Sequence, residues 1–223
     1  MGAGLKALLE ARYSCRGFLD KPVPRETIES ILTAAQRTPS WCNSQPWQVI
    51  LTSGAATEAL RAGLLADIAA SPAPQPDFPT PREYLGVYLE RRRACGFQLY
   101  EAVGVKRGDK EGGTRQAMEN FRLFGAPHAL VVTTPEPLGV YGVLDCGAWV
   151  NNFMLAAQDH GVATIAQAAL AGRSPFLRRH FGIAEDRRVV CGISFGYEDP
   201  AHPANRFRTA REAISAVVDW RDA

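Results

Sequence analysis

The stretch from Asp145 to Gly161 constrains the fold more than any other. It reads as a helix in which Trp149, Val150, Phe153, Met154 and Leu155 put apolar side chains on nearly every side. A helix that is apolar all round has to be covered all round. In a chain of 223 residues it therefore runs through the centre of the core or lies in a subunit interface. A membrane is excluded, because no apolar run approaches the roughly 18 residues that a span needs.

The elements around it follow from periodicity. Leu5 to Ala11 sets Leu5, Leu8 and Leu9 on one helical face, and Ile28, Ile31, Leu32 and Ala35 recur as the buried stripe of a second helix that stops before Pro39. The apolar, β-branched end of Gln45–Thr52 reads as a strand, and a third helix spans roughly Ala55 to Ala69. From Ser71 to Arg82 come Pro72, Pro74, Pro76, Pro79 and Pro81, a density that no helix tolerates. That stretch is either a linker or an excursion over a site. Helical patterns rich in aromatics follow at Tyr84–Gly104 and Arg115–Phe124. Ala129–Thr134 is a buried strand and Ser174–Pro175 opens a short helix ending at Gly182. Val189–Phe195 is a third strand and Thr209–Trp220 a final helix. Few strands among more helix give an α+β layer architecture in one domain, residues 1–223, with a Pro-rich and helical cap region at about 71–124.

Composition narrows the function. A net charge of +2 is too small for a nucleic-acid binder, and Arg91-Arg92-Arg93 is a lone cluster suited to a solvated helix face. Met1–Glu10 lacks the basic-then-apolar order of a secretory leader. Cys15, Cys42, Cys95, Cys146 and Cys191 are odd in number and widely spaced, so reduced thiols in the cytoplasm are expected. His128, His160, His180 and His202 lack metal-ligand spacing, and no dinucleotide fingerprint or phosphate loop exists. Gly192-Ile193-Ser194-Phe195-Gly196 fits the serine-hydrolase G-x-S-x-G, but that motif needs a helix next. Tyr197–Pro203, with Pro200 and Pro203, cannot supply one.

Three other segments converge on anion and ring binding. Arg12-Tyr13-Ser14-Cys15-Arg16 offers two forked, permanently charged donors with a hydroxyl between them, a set suited to a phosphate and adjacent polyol. Asn205-Arg206-Phe207-Arg208 offers a second basic pair near the other end. Between them, Pro39-Ser40-Trp41-Cys42-Asn43-Ser44-Gln45-Pro46-Trp47 combines compact polar donors with two tryptophans, a chemistry for a flat heteroaromatic with polar edges. Either basic pair alone would read as surface charge. Nanomolar binding needs about 12 kcal/mol, while one charge-assisted hydrogen bond yields roughly 1.5–3 kcal/mol, so no single pair could hold such a ligand, whereas contacts gathered from both chain ends could.

These segments, in this order, resemble the nitroreductase family of FMN-dependent oxidoreductases, nearest its nitrobenzoate and nitrobenzene reductase branch. The likeness continues through Phe124-Gly125-Ala126-Pro127, Gly161–Ala169 and Gly192–Arg208. It implies a nitroreductase-like fold, a central mixed or antiparallel sheet surrounded by helices, in an intertwined homodimer with interfacial active sites. Arg12, Ser14 and Arg16, with Tyr13 beside them, would hold the phosphate and ribityl end of FMN, and Arg206 and Arg208 would close on the phosphate. Pro39, Ser40, Trp41, Asn43 and Gln45 would approach the flavin from the second subunit. Gln167 and Ala168 would face the ring, a backbone N–H directed toward its N5, and Arg16 would steady negative charge near N1 and O2. The resemblance implies ping-pong reduction of small electrophiles such as nitroaromatics or quinones by NADPH or NADH, with no catalytic side chain, no metal, no nucleic acid and no membrane. It leaves open a dehalogenating, desaturating or flavin-fragmenting relative and a flavin binder without turnover. Two departures stand out: Cys42 where glycine is frequent, and Ile165-Ala166 for a frequent Cys-Pro pair.

Overall fold

The structure, a computed structural model, describes residues 4–221. Met1–Ala3 and the last two residues of the expected 1–223 domain lie outside them, as does the start of the Met1–Glu10 stretch. The chain runs α1 (Leu5–Ala11), α2 (Arg25–Ala35), β1 (Gln48–Ser53), α3 (Ala55–Ala70), α4 (Gly86–Ala102), α5 (Lys110–Met118), β2 (His128–Pro135), α6 (Gly139–Asp159), β3 (Ala163–Gln167), α7 (Ala168–Ala171), α8 (Ser174–Phe181) and β4 (Arg187–Gly196). The four strands form one antiparallel sheet in the order β1-β2-β4-β3.

β2 is central and buried over seven of its eight residues, which is why Ala129–Val132 reads as a continuous apolar run. Its side chains alternate between two cores. Leu130 and Val132, with Ile193 and Phe195 of β4, pack under α2 and α6 against Ile28, Ile31, Trp149 and Phe153. Ala129 and Val131 face the other way, toward Leu60 and Leu64 of α3, Leu170 of α7 and Leu177 of α8. The result is helix, sheet, helix. Each large side chain buried there contributes roughly 1.5–3 kcal/mol. A bulge between β2 and β4 pairs Val132 with Cys191 but Thr133 with Val189, adding one residue to β4.

The long apolar helix meets its expectation on one side only. Trp149, Phe153 and Ala157 of α6 are buried, whereas Val140 and Leu144 are 74% and 66% exposed, with Gly147, Ala148 and Asn151 continuing the open face. Within one chain α6 is therefore half covered.

Three readings need correction. Thr209–Trp220 is not a helix: it has only a single 3-10 turn at Ile214–Ala216, and Ile214, Val217 and Trp220 stand exposed. An apolar spacing makes a helix stable only where a surface receives it. The helix expected at Arg115–Phe124 forms earlier, as α5, because the Asp109 carboxylate accepts from the Gly112 N–H and caps it there. β3, not anticipated as a strand, gives the sheet a fourth member.

The Pro-rich stretch is clasped down. Asp77 accepts from the Val189 N–H at 2.7 Å and pairs with Arg178 at 2.9 Å. Gln75 donates its N–H to Gly172, and Arg173 reaches both the Ala73 carbonyl and Asp67. The excursion thus packs on α8 and the start of β4.

Candidate functional site

The two ends of the chain meet at the open edge of β3. Past the end of α1, Arg12–Arg16 is extended. Ser14 bridges Thr164 in parallel, and the Cys15 N–H donates to the Thr164 carbonyl at 3.0 Å. Cys15 packs beneath with Phe18, Phe124, Ala126 and Ile165. Extended geometry puts Arg12, Ser14 and Arg16 on one side by period two, so the shared face arises from strand alternation.

Asn205 draws the far end in. Its Oδ1 accepts from the Arg16 N–H at 2.7 Å, and its Nδ2 donates to the carbonyls of Gly17 and Asp199. It is buried, so each of these bonds replaces water at a site where an unpaired group costs about 1–3 kcal/mol. Gly17 is required at this crossing, because a Cβ there would lie 2.2 Å from the His202 ring.

The cleft so formed holds about 310 Å³ and is lined by Arg12, Ser14, Arg16, Arg208 and Arg211, with Tyr13, Phe207 and Cys95 of α4. Arg208 stacks 3.5 Å above the Tyr13 ring, whose hydroxyl donates to Glu198. Arg16 faces Phe207 at 5.8 Å. Aromatic faces hold these guanidinium planes without neutralising them. Among the described residues none of the four arginines pairs with a carboxylate. Glu10, the one acid on the wall, lies beside Lys6. Burial, and then repulsion by Arg211, pull the Arg12 pKa below its ordinary value; burial does the same for Arg16. Burial, followed by the bond to Glu198, pushes the Tyr13 phenol up, so it remains a neutral donor. Four guanidinium groups line one cleft, Arg12 and Arg16 partly buried and Arg208 and Arg211 exposed at its mouth, and with no carboxylate among the described residues bonded to any of them they make a receptor for a multiply charged anion.

Other anticipated residues sit elsewhere. Arg206 is exposed and turns its guanidinium to the Ala201 carbonyl, away from the cleft wall. Arg211, not singled out in the sequence, stands there instead; a third arginine after Arg206 and Arg208 was the available signal. Asn205 appeared only as a neighbour of the basic pair. Gln167 does not present its side chain outward: it is buried, accepting from Ser194 Oγ and donating to the Asn120 carbonyl. Its exposed neighbours Ala166 and Ala168 offer main chain and methyl groups. Ser194, internal to β4 and fully buried, has neither the turn nor the exposure of a hydrolase nucleophile.

The 39–45 loop is not on the cleft wall of its own chain. It packs against α6, where the Trp41 N–H donates to the buried Asp145 carboxylate at 3.1 Å and the Trp41 ring meets Tyr141 at 5.1 Å. Ser40 Oγ accepts from the Gln45 N–H at 2.9 Å. Cys42, Asn43 and Gln45 all have positive φ. The value at Cys42, +50°, gives a physical reason for glycine at that position. Trp41 is 65% exposed, adjoining the open face of α6.

Residues 9–197 match the model described as the nitroreductase family. The chain belongs to that family. A 4-nitrobenzoate reductase of Nocardioides sp. (strain LMS-CY) is 33% identical over 222 residues, 97% of this chain and 90% of the relative. Nitroreductase NfnB of Mycolicibacterium smegmatis is 35% identical over 213 residues, 95% of this chain and 90% of that one. Among solved structures, the FMN- and NADPH-dependent nitroreductase NfnB from Sphigopyxis sp. strain HMH superposes with a TM-score of 0.95 at 31% identity, covering 99% of this chain and 100% of that chain. The nitroreductase expectation for fold and family therefore holds. Among the described residues no cluster of ligands could hold a metal ion, and no helix is long and apolar enough to cross a membrane.

Proposed function

We propose that this chain is an FMN-dependent oxidoreductase that uses NADPH or NADH to reduce small electrophiles, nitroaromatics first among them. The observation that carries the reading is the cleft of four arginines with no carboxylate partner among the described residues, built from both chain ends at the edge of β3, in a member of this family. The residues present suit FMN. Arg12, Arg16, Arg208 and Arg211 would neutralise its phosphate, and Ser14 stands between the first two for the ribityl chain. Four charge-assisted contacts supply on the order of 6–12 kcal/mol, most of what nanomolar binding needs. When bound, the flavin supplies the redox chemistry, taking reducing equivalents from a nicotinamide and passing them to the electrophile. The main chain at Gln167 and Ala168 would face the ring edge, while Arg206, turned to the Ala201 carbonyl, would not reach the phosphate.

The working unit is a homodimer. The open, apolar face of α6 at Val140, Leu144 and Ala148, with Trp41 and Tyr141 beside it, is the surface a second copy covers. The exposed apolar residues of 214–220 wrap that copy. Pro39, Ser40, Trp41, Asn43 and Gln45 of the second copy then reach the flavin, held in their strained turn by Asp145. Five free cysteines suit a reducing compartment, and we place the protein in the cytoplasm.

The test is spectroscopic. The purified protein should show flavin absorption, lose it on anaerobic mixing with NADPH or NADH, and regain it on adding a nitroaromatic. A flavin that no pyridine nucleotide bleaches would make the chain a binder without turnover. A colourless protein that takes up no FMN would end the reading altogether.

A further inference from the structure

Ser194 and Gln167 lie side by side in the interior, and three separate elements meet there. The Ser194 hydroxyl donates from β4 to Gln167 Oε1 at 2.5 Å. Gln167, at the β3–α7 junction, donates from Nε2 to the Asn120 carbonyl at 2.8 Å, just after α5. Both side chains are buried, so both ends of the Gln167 amide are satisfied within the protein. Ala166 and Gln167 pair with Ile193 and Gly192 of β4 on one side, β3 being the edge of the sheet, and the exposed methyl groups of Ala166 and Ala168 add no anchor of their own, so the side-chain anchor at this junction is Gln167. Gly192, paired with Gln167, leaves room for Leu170 of α7 to press on β4; a Cβ there would lie 2.3 Å from it.

The position of this turn relative to the arginine cleft follows from the sheet. Ser14 and Thr164 pair in parallel, so β3 leaves that pairing in the direction of Arg16. Ala166 is two residues further on, roughly 7 Å at a strand's rise. The Ala166–Ala168 strand–helix junction therefore lies along the edge of β3 within reach of a ligand anchored by its phosphate between Arg12 and Arg16.

We infer that Ser194 and Gln167 are positioning residues: their buried hydrogen bonds hold the main chain of Ala166–Ala168 as a fixed platform for the flavin ring, and Asn120 ties that platform to the cap helices. The inference rests on the FMN reading above. It gives the G-x-S-x-G serine a task other than nucleophilic attack. Without the Ser194 hydroxyl, Gln167 Oε1 is buried without a donor, the amide turns to find one, and the turn is released with it.

The variants are Ser194→Ala, Ser194→Cys, which keeps a weak donor, and Gln167→Met, which keeps the volume without the amide. In the flavin-free protein, amide hydrogen exchange at Ala166–Ala169 should rise about 10-fold in Ser194→Ala and Gln167→Met, and less in Ser194→Cys. Amides of β1, β2 and Arg12–Arg16 should stay within about twofold of wild type. In the loaded protein the FMN Kd should change by less than about threefold, because the arginines are untouched, while bleaching by NADPH slows about tenfold and the flavin midpoint potential moves. Unchanged exchange at the turn would overturn the inference. So would exchange raised equally throughout the sheet, or an unmoved potential. If the wild-type chain takes up no FMN, the functional reading fails, while the exchange comparison still shows whether Ser194 holds the turn.

Discussion

Replacing Arg12 by glutamine should push the stability of the empty protein and its affinity for FMN in opposite directions. The Arg12 guanidinium is perturbed only by burial and by Arg211, with no carboxylate among the causes. In the empty cleft its charge is a liability. Like-charge repulsion and partial desolvation near a surface are worth about 0.5–1 kcal/mol after screening. Arg12→Gln should therefore raise the apo Tm by roughly 1–4 °C in a chain this long. With FMN bound the same charge meets phosphate oxygens, and its loss removes about 1.5–3 kcal/mol, weakening Kd about 10- to 150-fold. Thermal melts of the stripped protein at low and high salt, together with calorimetric titration of FMN, measure both effects. The apo gain should shrink in 0.5 M salt, which cuts the screening length to a few ångströms, about 4 Å. A lower apo Tm with unchanged FMN affinity would refute the reasoning and make Arg12 an ordinary packing residue.

Cys42→Gly removes a left-handed non-glycine residue, a strain of about 1 kcal/mol partly offset by added freedom in the unfolded chain; the melting temperature should hold or rise by about 1–2 °C. Leu144→Lys puts a charge on the open face of α6, and light scattering should show monomers that have lost FMN, whereas an unaltered dimer would place the interface elsewhere. Burial pushes the Cys15 and Cys146 thiols up to about 11. A thiol raised in the folded state contributes stability below its unfolded pKa that is lost as pH rises. Denaturant midpoints should accordingly fall from about pH 9 toward pH 11, and a flat profile there would contradict the burial. At pH 8 a thiol reagent should label Cys42 first in the dissociated Leu144→Lys chain, where it is exposed.

Much of the scaffold is legible in the residues because single-face burial writes a period into them. Ile28, Ile31 and Ala35 mark the buried side of α2, and the apolar run at Ala129–Thr134 marks the central strand. α6 is legible as a helix, but its two apolar sides look alike in sequence, and only packing shows that Trp149 and Phe153 turn inward while Val140 and Leu144 do not. β3 escapes because Ala163-Thr164-Ile165-Ala166-Gln167 holds a single large apolar residue, and pairing with β4 settles its state. The 209–220 stretch misleads for the opposite reason: the spacing of Ile214, Val217 and Val218 is helical, yet all three stay exposed among the described residues. In the site, the motifs at the two ends announce an anion receptor. Which arginines line it depends on how Asn205 turns the chain, and so Arg211 takes the place expected for Arg206. Gln167 could be read as outward or inward until Ser194 and Asn120 are seen on either side of its amide.

The central claim is that the arginine cleft holds FMN by its phosphate. Titrating the flavin-free protein with FMN and with riboflavin, which lacks only that phosphate, tests it most directly. The account predicts one FMN per chain and riboflavin weaker by at least about 100-fold, the loss of two or more charge-assisted contacts. Equal affinity for the two flavins would contradict it.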